Sequence, residues 1–85
     1  MQQRASWRWS YRGLHGEHHA YVRAVDPRDA LSRALSTQLP SGALIGERLG
    51  IPVDVLAGAP GNAETSYSVH EEDFVMRVEK VVEAA

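Results

Sequence analysis

Residues 7–12 read Trp-Arg-Trp-Ser-Tyr-Arg, a strict alternation of aromatic and polar side chains. A period of two belongs to a β-strand, whose successive side chains point to opposite faces. Trp7, Trp9 and Tyr11 therefore line one face and Arg8, Ser10 and Arg12 the other. The rings demand a covering layer, and the arginines demand solvent or a partner. No pattern in the chain names a reaction.

The turn that follows is Gly13-Leu14-His15-Gly16, in which the glycines tolerate positive φ. A second strand over residues 17–25 then pairs back on the first. The expected register sets Tyr11 against His18, Trp9 against Ala20, Trp7 against Val22 and Ala5 against Ala24. Large rings meet small side chains, which suits a face covered by a helix. The opposite face pairs Arg12 with Glu17, Ser10 with His19, Arg8 with Tyr21 and Ser6 with Arg23. A slip of one residue would turn arginines into the core, so this register is preferred.

Asp26 is a good N-cap, Pro27 suits the first helical position, and Asp29 follows three residues after the cap. Ala30, Leu31, Ala34, Leu35 and Leu39 form one apolar stripe, so the pattern predicts a helix over 27–39, ended by Pro40-Ser41-Gly42. Residues 43–49 suit a short helix closed by Gly50. Residues 53–56 suit a short strand or one helical turn, and 57–63 a loop. Phe74, Met76 and Val78 alternate with Arg77 and Glu79, and valines are frequent there, which favours a strand paired with residues 65–69. A helix capped by Ser68 and Glu71 is the competing reading. The expected fold is one α+β domain over 1–85. An antiparallel sheet, the N-terminal hairpin plus a C-terminal strand, is packed by one main helix and a short second helix.

The 85 residues contain no cysteine, which excludes a disulfide framework and thiolate chemistry. A domain this small usually needs such staples outside the cell, so the expected compartment is reducing and cytoplasmic. Residues 1–6 carry no apolar run, so no signal peptide is expected. No stretch approaches the ~20 apolar residues of a membrane span, so no membrane partner is expected. The formal net charge is −2, unevenly spread. Residues 1–33 hold six arginines against three acids, and residues 34–85 hold three basic residues against eight acids. Such asymmetry can mark separate contact surfaces.

Four groups of residues could carry chemistry. The outward hairpin face presents Arg8, Ser10, Arg12, His19, Tyr21 and Arg23, with Arg4 nearby. Guanidinium forks match phosphate and carboxylate geometry, and an interleaved tyrosine adds a stacking surface. His15, Glu17, His18 and His19 are close in sequence, but His18 and His19 point to opposite strand faces. They form no four-ligand zinc set, and no metal is expected. His70-Glu71-Glu72-Asp73 reads as an acidic turn, since no nucleophile motif or glycine-rich phosphate loop accompanies it. Residues 45–51 resemble the turn of a helix-turn-helix, with a small residue ahead of leucine-glycine-aliphatic. The helix that would follow, from Pro52 to Gly58, has barely one turn.

A tryptophan-bearing hairpin running into an alanine- and leucine-striped helix, residues 6–39, is similar to the small sheet-reading arm domains of phage-type integrases. That resemblance implies DNA contact through the sheet and transfers no residue role. The expected function is a non-enzymatic, intracellular accessory or inhibitor of phage or mobile-element type. It would need no cofactor and would dock on a larger protein or nucleoprotein complex through the arginine face. Direct DNA or RNA binding by that face is the alternative, a second copy of the chain is a further partner, and a metal-dependent or acid–base enzyme is the minor reading.

Overall fold

Four antiparallel strands form one sheet in the computed structural model, in the order β2-β1-β4-β3. The structure describes residues 4–52, 54–61 and 64–82. The strands are β1 (Ala5–Gly13), β2 (Gly16–Ala24), β3 (Ser66–His70) and β4 (Phe74–Lys80). Among the described residues, three helices lie between β2 and β3 in the chain: α1 (Pro27–Leu35), α2 (Ile45–Arg48) and α3 (Asp54–Ala57). The expected α+β architecture is present, with α3 added to it. Residue 53, residues 62–63 of the expected loop, and residue 83 at the end of the C-terminal pattern lie outside the described residues.

The β1–β2 register is the one the hairpin pattern requires: Trp7 faces Val22, Trp9 faces Ala20, Tyr11 faces His18 and Arg12 faces Glu17. Gly16 closes the turn at φ 92°, where a side chain would be strained. β4 then pairs with the other edge of β1, setting Trp9 against Val78 and Tyr11 against Met76. β3 pairs with β4, setting Val69 against Met76 and Tyr67 against Val78. The C-terminal pattern is thus a hairpin, and its helical reading is excluded. The two hairpins meet through β1 and β4.

One face of the sheet carries the core. Trp7, Trp9, Tyr11, Val69, Phe74, Met76 and Val78 are buried there, with Tyr67 half-buried. Ala30, Leu31, Ala34 and Leu35 of α1 are buried with them, as are Leu49, Val55 and Ala59 from the connecting segment. Tyr11 lies in a run of rings, with its centroid 6.4 Å from that of Trp9 and 5.8 Å from that of Phe74. Offset aromatic pairs at such distances add to the free energy of simple burial. Among the described residues no polar or charged residue is buried.

α1 begins as its cap signals require. Asp26 accepts a hydrogen bond from the Asp29 backbone N–H at 2.7 Å, and the Asp29 carboxylate accepts one from Val25 N–H at 3.1 Å. The first bond satisfies an N–H that the opening helical turn leaves without a partner, and the second ties down the residue just ahead of the cap. The end of α1 departs from expectation. The helix stops at Leu35 rather than continuing to residue 39. Pro40 cannot extend a helix and disfavours helical backbone at Leu39. The chain instead folds back: Gln38 bridges Leu44, Ile45 N–H donates to the Thr37 carbonyl at 2.9 Å, and Leu39 N–H to Ala43 at 2.8 Å. Leu39 is half-buried in this loop and is not part of the helical stripe. α2 ends at Arg48, and Gly50 just beyond it, at φ 67°, closes the helix as the sequence indicates. Each of α2 and α3 spans four residues, so the segment resembling a helix-turn-helix presents no recognition helix.

Candidate functional site

The helices pack on the tryptophan side, so among the described residues the other face of the sheet carries no helix. The register arranges its side chains in rows across the four strands. The first row is Tyr21, Arg8, Glu79 and Ser66. The second is His19, Ser10, Arg77 and Ser68, and the third is Glu17, Arg12, Val75 and His70. Arg23 stands beside Ser6 at the end of the hairpin. Every residue expected at the site, Arg8, Ser10, Arg12, His19, Tyr21 and Arg23, lies on this face. All are exposed except Ser10, which is half-buried between its neighbours.

The structure adds Arg77, which enters the middle of the surface from β4. It stands beside Ser10 on β1 and Ser68 on β3. Sequence reasoning noted the alternation around Arg77 but could not place β4 beside β1, because that pairing joins segments more than sixty residues apart. Val75 arrives by the same route and is exposed beside Arg12. A shallow groove of about 430 Å³ runs over this region, lined by Arg8, Ser10, Arg12, Glu17, His19 and Arg77 among others.

The four guanidiniums differ in their surroundings. Arg12 meets Glu17 at 3.2 Å, and Arg77 meets Glu79 at 3.5 Å. The Arg12 and Glu17 side chains are 83% and 73% exposed, so their attraction is screened and worth little. Arg23 donates to the Ser6 hydroxyl at 3.5 Å and the Arg4 carbonyl at 3.2 Å, which orients its guanidinium without neutralising it. Arg8 has no carboxylate within 4.0 Å among the described residues. Tyr21, 66% exposed, lies opposite Arg8 and offers a flat apolar surface beside the cation. Four arginines against two glutamates give the face a net of +2, on a chain whose net is −2. The arrangement can bind carboxylate or phosphate oxygens through several forks at once.

The other candidate groups resolve differently. His18 shares the strand face of the core rings, a parity that favours partial burial, yet it is exposed. His18 lies on the helix side of the sheet but near the hairpin tip, where its ring is tilted against that of Tyr11 with centroids 5.9 Å apart and its Nε2 lies 2.9 Å from the His15 carbonyl. His19 projects from the opposite face. Among the described residues no three His, Asp or Glu side chains converge on a point where they could hold a metal ion. Glu71, Glu72 and Asp73 form the exposed turn between β3 and β4, closed by a hydrogen bond from Glu71 N–H to the Phe74 carbonyl at 2.9 Å. With Asp54 they rim a cleft of about 430 Å³ whose floor includes Tyr11, Leu49, Val55 and Phe74. No helix among the described residues is long and apolar enough to cross a membrane.

Comparison with known proteins identifies no relative: no family model, no curated protein and no solved structure matches this chain.

Proposed function

We propose that this protein is a non-enzymatic binding module, an accessory or inhibitor that docks on a larger protein or nucleoprotein complex through the helix-free face of its sheet. The observation that carries the reading is the convergence of Arg8, Arg12, Arg23 and Arg77 from three strands on the one face that the core does not use. A surface of mixed arginine and tyrosine is the composition that most often dominates binding energy at interfaces. The sign of the face, opposite to that of the whole chain, directs it toward acidic partners and away from a second basic one. The rigid sheet holds the forks in place, which lowers the entropy lost on docking.

A second reading has its own support. Tyr21 beside Arg8 supplies a stacking plane next to a phosphate-binding fork, the combination that sheet surfaces use on nucleic acids. Salt separates the two. A nucleic-acid module retards a generic duplex at low salt, with affinity falling steeply as salt rises. For a protein-docking module, salt acts mainly on the association rate. The test is capture of partners from the native cell on immobilised wild-type protein, with Arg8→Ala/Arg12→Ala as control, followed by salt titration of the captured complex. Equal capture by wild type and double variant would refute docking through this face.

A further inference from the structure

We infer that β2 is a self-pairing edge, and that two copies of this chain join through it into one continuous eight-stranded sheet. The inference concerns the rim of the sheet, where His19, Tyr21 and Arg23 belong both to the edge and to the arginine face, and it does not rest on what that face binds.

The direction of the backbone groups follows from one contact. Val81 N–H donates to the Ser6 carbonyl at 2.9 Å, so the even-numbered residues of β1 turn their backbone groups toward β4. The odd-numbered residues of β1 therefore serve β2, and through the register they bond its even-numbered residues. Glu17, His19, Tyr21 and Arg23 are left with N–H and C=O groups pointing outward from the sheet. Among the described residues no other strand pairs with that edge.

Natural edge strands are usually blunted by shortness, proline, charged side chains or a bulge. β2 has nine residues, contains neither proline nor lysine, and pairs with β1 without a break in register, and its two charges, Glu17 and Arg23, are of opposite sign and lie near opposite ends of the strand. The opposite edge, β3, has five residues. β2 is therefore the rim that needs a partner or a reason not to have one.

Its sequence is complementary to itself under a two-fold axis. With Ala20 on the axis, the outward groups of the two strands meet in hydrogen-bonded pairs. Glu17 then faces Arg23 of the second copy, Arg23 faces Glu17, and His19 faces Tyr21 on both sides. Opposite charges meet twice, and no like charges meet. Both charged residues project from the helix-free face, so each pair is also on one side of the sheet. Moving the axis to His19 or Tyr21 keeps the hydrogen bonding but separates Glu17 from Arg23. On the helix side, half-buried Ala20 meets its own copy and half-buried Val22 meets His18. The partner committed to is thus a second copy of this chain, selected by charge complementarity and backbone parity together. The in-plane junction leaves Arg8, Arg12 and Arg77 uncovered.

Sedimentation equilibrium of the full chain tests this. Wild type is expected to sediment as a dimer. Glu17→Arg sets two guanidiniums against each other at both ends of the junction, and Arg23→Glu sets two carboxylates against each other there. Each single variant should therefore weaken self-association by at least about tenfold. An equimolar mixture of the two variants restores both attractive pairs and should recover a dimer of the wild-type kind. Tyr21→Pro removes an outward N–H that β1 does not use and should give a folded monomer, with circular dichroism and thermal melting as the folding control. A wild-type chain that stays monomeric throughout, single charge variants that dimerise as tightly as wild type, or a mixture that fails to reassociate would each overturn the inference. Should the proline variant unfold, the charge-exchange mixture still decides.

Discussion

Trp7 donates its indole N–H to the carbonyl of Ala24 at 3.1 Å, inside the core. The bond joins the start of β1 to the end of β2, at the point where the chain leaves the sheet for α1. Trp9, two residues on, is equally buried, but its indole N–H has no hydrogen-bond partner among the described residues.

The two tryptophans should therefore respond differently to the same substitution. Trp7→Phe removes the indole bond to the Ala24 carbonyl, which keeps its ladder partner on β1, and should cost about 0.5–1.5 kcal/mol more than its loss of ring volume alone. Trp9→Phe removes an unsatisfied donor and should show no such added cost. Trp9→Ala should cost about 3–5 kcal/mol and leave the domain close to unfolded. Urea denaturation of the three variants checks the order; a Trp9→Phe loss exceeding that of Trp7→Phe would contradict it.

Gly13 sits where β1 meets the turn before β4. A Cβ there would lie 2.6 Å from the Asp73 carbonyl oxygen, 2.7 Å from Phe74 Cβ and 2.8 Å from the Tyr11 hydroxyl. Gly13→Ala must push backbone apart and should destabilise by about 1–3 kcal/mol. Gly16→Ala has open space around it but a φ of 92°, so its cost, about 1–2 kcal/mol, comes from backbone strain alone. Amide exchange separates them. Gly13→Ala should deprotect the β1–β4 pairing near Phe74, and Gly16→Ala only the hairpin tip.

The N-cap of α1 offers a third measurement. Asp26→Ala removes the acceptor for Asp29 N–H and should cost about 1 kcal/mol. Asp26→Asn or Asp26→Ser, which keep an acceptor, should recover most of that loss in thermal melts.

Much of this structure is legible because local chemistry and tertiary packing agree. The alternation at Trp7–Arg12, the small residues opposite the rings and the Asp26–Pro27 start all favour the same hairpin and helix. The end of α1 is less legible because Leu39 fits the helical stripe while Pro40 opposes it, and the bridge from Gln38 to Leu44 decides between them. At the site, the β1 and β2 residues follow from strand parity and a short turn. Arg77 and Val75 depend on the long-range pairing of β4 with β1, which strand parity within either segment does not specify. His18 obeys the parity rule yet is exposed, because the hairpin tip on its side of the sheet remains open to solvent.

Arg77 gives a prediction that only the fold supplies. It stands between Ser10 and Ser68, beside the hairpin arginines, and its own ion pair with Glu79 is exposed. Arg77→Ala should leave stability within about 0.5 kcal/mol of wild type, as surface substitutions usually do. It should nevertheless weaken partner binding by an amount comparable to Arg8→Ala, as measured by calorimetry on the captured complex. An effect confined to the β1 and β2 arginines would restrict the docking surface to the first hairpin.

The helix-free face is proposed to work without holding the fold together, and one comparison tests both halves at once. Affinity for the captured partner and melting temperature are measured side by side for wild type and Arg8→Ala/Arg12→Ala. The expected result is a melting temperature within a few degrees of wild type. Affinity should fall at least tenfold, since each docked arginine can carry roughly 2 kcal/mol. Unchanged affinity with unchanged stability would contradict the proposal and move the working surface to the acidic turn at Glu71, Glu72 and Asp73.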